Sequence, residues 1–203
     1  MYGTNAKNAI SAGVPNSRAE LDFYCTDPDI VRALLEVEPI SENVWEPAAG
    51  AGHIVGVLKE FGKKVVATDI AVRSEYPDIR GGVDFLSTNG HYNGTIMTNP
   101  PFAKNGVMNF VLKALEIIEP DPLNKIIMYA KINFLESCTR YEKLFKDRPP
   151  KVVYLFPMRP KFGKVGSLSE TSNTEMHCWV VWDTITTPHE PVIKWLFPKK
   201  KQI

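Results

Sequence analysis

Apolar residues recur along this chain in two rhythms. Ile30, Val31, Leu34 and Leu35 keep one helical face behind Asp27-Pro28, where Asp27 or Thr26 can cap the first turn and Pro28 can occupy it. Ile54, Val57, Leu58 and Phe61 repeat at i, i+3, i+4, i+7, with Gly62 as the stop. Val107, Phe110, Val111, Ala114, Leu115 and Ile118 predict a helix from about Asn105 to Glu119, halted by Pro120. Between these faces lie short continuous runs, the pattern of strands buried on both sides. They are Val44-Trp45-Glu46, Val65–Thr68, Thr95-Ile96-Met97, Lys125–Ala130, Val152–Phe156 and Cys178–Trp182. A further helix is predicted near Phe134–Lys146, broken by Arg148-Pro149-Pro150. Val83-Asp84-Phe85-Leu86 is an apolar island around one acid and reads as a short surface strand.

The resulting order, α, β, α, β, (β), β, α, β, α, β, β, predicts a three-layer α/β sandwich whose last two strands form an antiparallel hairpin. Residues 1–20, rich in Asn, Ser, Ala and Gly without a period, read as a loose leader. Residues 21–198 read as one domain and 199–203 as a basic, solvated tail.

Composition narrows this little. A chain of 203 residues supports one well-buried domain, and 44% hydrophobic with 23% charged residues is ordinary for a globular protein. A net charge of +1 does not advertise nucleic-acid binding, so any such surface must be local. No apolar run reaches the length of a membrane span, and the N-terminus lacks a signal-peptide pattern. Cys25, Cys138 and Cys178 lie far apart, which predicts reduced thiols in a cytoplasmic protein. His53, His91, His177 and His189 lack metal-ligand spacing, so no metal is expected.

The chemistry concentrates at two places. Asn99-Pro100-Pro101-Phe102 closes the run Thr95–Thr98, because neither proline has an N–H to give a sheet. An amide, a proline carbonyl and a ring thus meet at the carboxyl end of a strand, where open α/β sheets bind ligands. Such a set suits a flat substrate with an exocyclic amine, such as adenine. Alone, the same residues would equally make a strand exit with a packed Phe. The second place is strand, small-residue turn Pro47-Ala48-Ala49-Gly50-Ala51-Gly52, helix, strand and Asp69, half of a nucleotide-binding βαβ unit. A right-handed crossover brings Glu46, the turn and Asp69 to one sheet edge. The turn is neither G-x-G-x-x-G nor, lacking lysine, a P-loop, so a nucleoside without phosphate fits better. Glu46 can take an ammonium group, and Asp69, 23 residues later, both ribose hydroxyls.

Glu46–Gly52, Asp69, Asp84-Phe85 and Asn99–Phe102, with Phe23-Tyr24-Cys25-Thr26-Asp27-Pro28 upstream, resemble the amino-methyltransferase group of S-adenosylmethionine (AdoMet) enzymes. They look most like the small DNA adenine-N6 methyltransferases of phages and prophages. The resemblance spans roughly residues 20–185. It implies a Rossmann-like, seven-stranded, mostly parallel sheet with a C-terminal antiparallel β-hairpin. It places Glu46, Pro47, Ala48, Gly50 and Gly52 on the methionine portion of AdoMet, and Thr26 on its carboxylate. Asp69, with Ile70 beside it, falls on the ribose side, and Asp84 and Phe85 on the adenine. Asn99, placed on the cofactor as well, and the Pro100 carbonyl would bind the target amine, with Pro101 in the same motif and Phe102 stacked on the target base.

Larger members carry a sequence-reading domain, for which this chain has no room. The resemblance therefore implies low or short sequence specificity. DNA, duplex or single-stranded with the base flipped out, is the implied partner, and Lys104, Arg159, Lys161, Phe162 and Lys164 form a candidate phosphate patch. RNA adenine, cytosine N4 and protein glutamine share this site type, and a non-catalytic binding module would keep the fold.

Overall fold

The runs that lack a polar face do so because both sides of the sheet are covered. In the computed structural model, which describes residues 25–71, 77–158, 175–185 and 190–198, they pair into one sheet. Its strands are β1 (Asn43–Glu46), β2 (Lys64–Ala67), β3 (Thr95–Thr98), β4 (Lys125–Lys131), β5 (Val152–Leu155), β6 (His177–Asp183) and β7 (Val192–Trp195), in the order β2-β1-β3-β4-β6-β5-β7. All neighbours run parallel except β6, which is antiparallel to both β4 and β5.

Alternate residues serve opposite layers. Ile127, Tyr129, Trp179 and Val181 pack with α1 (Pro28–Leu35) and α2 (His53–Glu60) on one face. Ile126, Met128, Ala130, Val180 and Trp182 pack with α3 (Gly106–Ile117) on the other. Trp179 and Trp182 are core residues, as their apolar setting predicts, and burial of each such ring is worth more than about 2 kcal/mol. No helix among the described residues is long and apolar enough to cross a membrane.

The structure corrects three expectations. Val83–Leu86 is not a strand: Asp84 caps a 3₁₀ turn over Phe85–Ser87, accepting from the Leu86 N–H at 3.0 Å and the Ser87 hydroxyl at 2.7 Å. The seventh strand is instead β7, exposed at all four positions and lying at the sheet edge beside β5. Its side chains show no inward–outward alternation, which removes the signal by which a strand is read. Third, Phe134–Lys146 is not one helix. It divides into a 3₁₀ turn (Ile132–Leu135), a short α4 (Cys138–Arg140) and a π turn (Tyr141–Phe145). Ser137 breaks the run by capping α4, its hydroxyl accepting from the Arg140 N–H at 3.3 Å.

Candidate functional site

Because β2, β1 and β3 are parallel neighbours, their carboxyl ends deliver Asp69, Glu46 and Asn99 to one edge of the sheet. The turn after β1 folds over the end of β2: the Ala49 N–H reaches the Thr68 carbonyl at 2.9 Å. Gly50 (φ 53°) and Gly52 (φ 76°) take left-handed backbone there, which a side chain would resist. Asp69 holds this turn in place, one carboxylate oxygen accepting from the Gly50 N–H at 2.8 Å and the other from the Ala71 N–H at 2.8 Å. Ile70, next in the chain, is 69% exposed and offers an open apolar surface beside that carboxylate.

Glu46 is 1% exposed, and its Oε2 meets no hydrogen-bond partner among the described residues. Burial, and then the neighbouring Asp69 carboxylate, hold its pKa well above the ordinary value, the Val55 N–H opposing them. A pocket bounded by Thr26, Glu46, Gly50, His53 and Ile54 opens here. Burial lowers the pKa of His53 within it.

Thr26 closes the pocket toward β3. Asp27, not Thr26, caps α1, accepting from the Asp29 N–H at 2.9 Å. Thr26 is thereby released to accept a hydrogen bond from Asn99 Nδ2 at 3.1 Å, across 73 residues of chain.

Beyond Asn99, Pro100 is buried and Phe102 half-buried between both core layers. The chain then turns through Lys104 (φ 51°) and Asn105 (φ 60°), two adjacent non-glycine residues in left-handed conformation. Each such residue costs about 1–3 kcal/mol. Gly106 makes the turn possible, since a Cβ at this position would lie 1.9 Å from the Pro101 carbonyl oxygen. Gly106→Ala is expected to destabilise the fold by about 1–3 kcal/mol through overpacking. Gly56→Ala, on α2 with nothing within 4 Å, is expected to stabilise it by about 0.5–1 kcal/mol. Thermal unfolding of the two variants against wild type checks the contrast.

Three residues that sequence reasoning left unassigned gather around Phe102. The His177 ring lies 5.7 Å from it, stacks on Tyr129 at 5.3 Å and 7°, and Lys131 Nζ stands 5.5 Å from the Phe102 ring centre. Burial lowers the His177 pKa, with Glu175 opposing this and Lys131 reinforcing it. The signal for this cluster is the β4–β6 register, which sets Lys131 opposite His177 and Tyr129 opposite Trp179.

The Asp84-Phe85 pair divides between core and surface. Phe85 is 2% exposed and packs on Trp45 at 5.2 Å and Phe110 at 4.9 Å, so its ring belongs to the core and has no face for a ligand ring. Asp84 is exposed and caps its own turn, each carboxylate oxygen accepting one hydrogen bond. Lys104 is exposed two residues after Phe102, whereas Arg159, Lys161, Phe162 and Lys164 lie outside the described residues, as do the leader and the tail. No cluster of metal-ligating side chains occurs among the described residues.

No family model matches the chain, and no curated protein matches it in sequence. Solved structures do match in fold. A candidate class I S-adenosylmethionine-dependent methyltransferase from Listeria monocytogenes superposes with a TM-score of 0.60 at 10% identity, over 87% of this chain and 67% of that one. The modification subunit of a candidate type I restriction enzyme from Vibrio vulnificus gives 0.60 at 14% identity, over 85% of this chain and 46% of that one. A Burkholderia thailandensis 1,6-didemethyltoxoflavin-N1-methyltransferase, solved with its substrate and S-adenosylhomocysteine, gives 0.50 at 12% identity over 76% and 75%. At these identities the likeness is one of fold, and the fold is the Rossmann-like one of class I methyltransferases.

Proposed function

We propose that this chain is an AdoMet-dependent methyltransferase acting on adenine N6 in DNA, with low or short sequence specificity. The observation that carries the reading is the Thr26–Asn99 hydrogen bond, which fixes the Asn-Pro-Pro-Phe amide beside the pocket of Glu46. The donor set fits the cofactor. Glu46 Oε2, buried and without a partner, suits an ammonium group, and a second acid at the same edge adds to the attraction for a cation. Asp69 accepts one N–H at each oxygen, and each oxygen retains a further lone pair for a ribose hydroxyl. Ile70 offers an apolar surface for the adenine in place of the buried Phe85 ring.

AdoMet, when bound, supplies a methyl group activated by its sulfonium. The chain's own task is to present the amine. With Nδ2 given to Thr26, the Asn99 amide has Oδ1 as its acceptor, and the Pro100 carbonyl is the second. Two acceptors on the two N–H bonds of N6 draw its lone pair out of the ring and make it a better nucleophile. Positioning of this kind is worth about 7–11 kcal/mol when alignment is good. A flipped base costs a few kcal/mol to extrude. Stacking on Phe102 returns about 1–3 kcal/mol. Contacts to the strand backbone supply the rest, with Lys104 and the basic segment from Arg159 to Lys164 as their source.

The shared fold of the restriction-enzyme modification subunit is compatible with a DNA substrate, and the RNA, cytosine and glutamine alternatives are arms of the test. The test is methyl transfer from labelled AdoMet to unmethylated duplex DNA, single-stranded DNA and RNA, followed by digestion to nucleosides. N6-methyldeoxyadenosine is the expected product. Label confined to RNA, or none in nucleic acid despite AdoMet binding, overturns the DNA reading.

A further inference from the structure

On the α3 side of Phe102, away from Glu46, lies a second pocket that the reading above does not use. It is a small cavity of about 90 Å³ with an open mouth, of a size for a single small anion and not for a whole nucleotide. Phe102, Asn105, Lys131, Asn133 and Arg140 line it. Its two cations differ in status. Lys131 is paired with Glu175 at 2.6 Å. Arg140 makes no ion pair with a carboxylate among the described residues. It donates through Nε to the Phe134 carbonyl at 2.6 Å, and through Nη2 to those of Asn133 at 2.9 Å and Glu136 at 2.8 Å.

Those three bonds lock the guanidinium plane against the 3₁₀ turn, 5.4 Å from the Phe134 ring centre, and do not commit Nη1. A rigid, always-charged fork beside two side-chain amides is a phosphate-binding arrangement. The wall it shares with Phe102 identifies which phosphate. We infer that this pocket holds a backbone phosphate adjacent to the target base, with Arg140 as its cation and the Asn133 amide beside it. This rests on the DNA reading above.

The test is equilibrium binding to a duplex carrying one A·T pair among G·C pairs, with single uncharged methylphosphonates placed in turn around the adenine. Wild type is expected to lose about tenfold in affinity at one position next to the adenine. Arg140→Gln is expected to lose about as much on unmodified DNA and to be indifferent to that methylphosphonate, its salt slope falling by about one. AdoMet affinity stays at the wild-type value. Because Arg140 also ties its own turn, Asn133→Asp supplies a second variant. It adds a carboxylate at the exposed wall without touching the three bonds, and should weaken DNA binding about tenfold with an unchanged thermal midpoint. The inference is overturned if both variants bind DNA like wild type, or if the Arg140 and methylphosphonate losses simply add. Wild type that binds no DNA at all overturns the DNA reading itself, and this inference with it.

Discussion

Asn99→Ala lowers the methyl-transfer rate by about 10²–10³-fold, the loss typical of removing one preorganised polar group at a reacting centre. AdoMet affinity is expected to stay within a few-fold of wild type, because the pocket proposed for the cofactor is bounded by Glu46, the glycine turn and Thr26. Thr26→Val leaves the amide in place but removes the acceptor that orients it at 3.1 Å, and a smaller loss of about tenfold is expected. Single-turnover rates with the cofactor saturating, alongside calorimetric AdoMet titration, separate the two effects. Equal rates for Asn99→Ala and wild type would remove Asn99 from the chemistry. Collapse of AdoMet binding in that variant would make it a pocket residue instead.

Glu46→Gln weakens AdoMet binding by about 30-fold or more, the low end of the 2–5 kcal/mol range for breaking a buried charge pair, yet makes the ligand-free protein more stable. The cause is the carboxyl whose pKa burial and Asp69 hold well above 4.5. In the folded ligand-free protein the neutral form is favoured. Stability from this group is therefore fully present below about 4.5 and is lost as pH rises through the raised folded-state value. The glutamine variant has no such loss, so at pH 7–8 its thermal midpoint is higher, by about 2–4 °C per kcal/mol recovered. The ligand's ammonium reverses the preference by favouring the carboxylate. Binding then releases a proton, and wild-type affinity for AdoMet rises with pH while the variant's does not. Thermal scans and titrations between pH 5 and pH 8, with and without AdoMet, read both halves. A pH-independent wild-type affinity would leave Glu46 without its assigned partner.

The parts of this architecture legible in the sequence were those with a local cause. The glycine turn, the proline stop after Thr98 and the helical faces of α1, α2 and α3 are dictated by residues within a few positions of one another. What escaped reading depends on partners distant in the chain. Val83–Leu86 and Val192–Trp195 are both short and apolar, but Asp84 closes a turn on its neighbours whereas residues 192–195 find an open edge beside β5. Phe85 follows an acid in the manner of a ligand-binding pair, and only the packing of Trp45 and Phe110 shows that its ring is spoken for. His177 has no motif around it. It reaches Phe102 because β6 runs antiparallel to β4 in a particular register.

The insertion of β6 between β4 and β5 also sets a schedule for making the protein. During synthesis β4 and β5 emerge before the strand that joins them, so the middle of the sheet stays open until residues 177–183 have left the ribosome. Until then the edge of β4, apolar from Ile126 to Ala130, is bare backbone beside bare side chains, the kind of surface on which nascent chains aggregate. A chain interrupted after residue 158 would keep every strand of the Glu46 and Asn99 edge and still lack the strand that covers β4. Closure of the sheet, and with it the approach of His177 to Phe102, waits on residues 177–183.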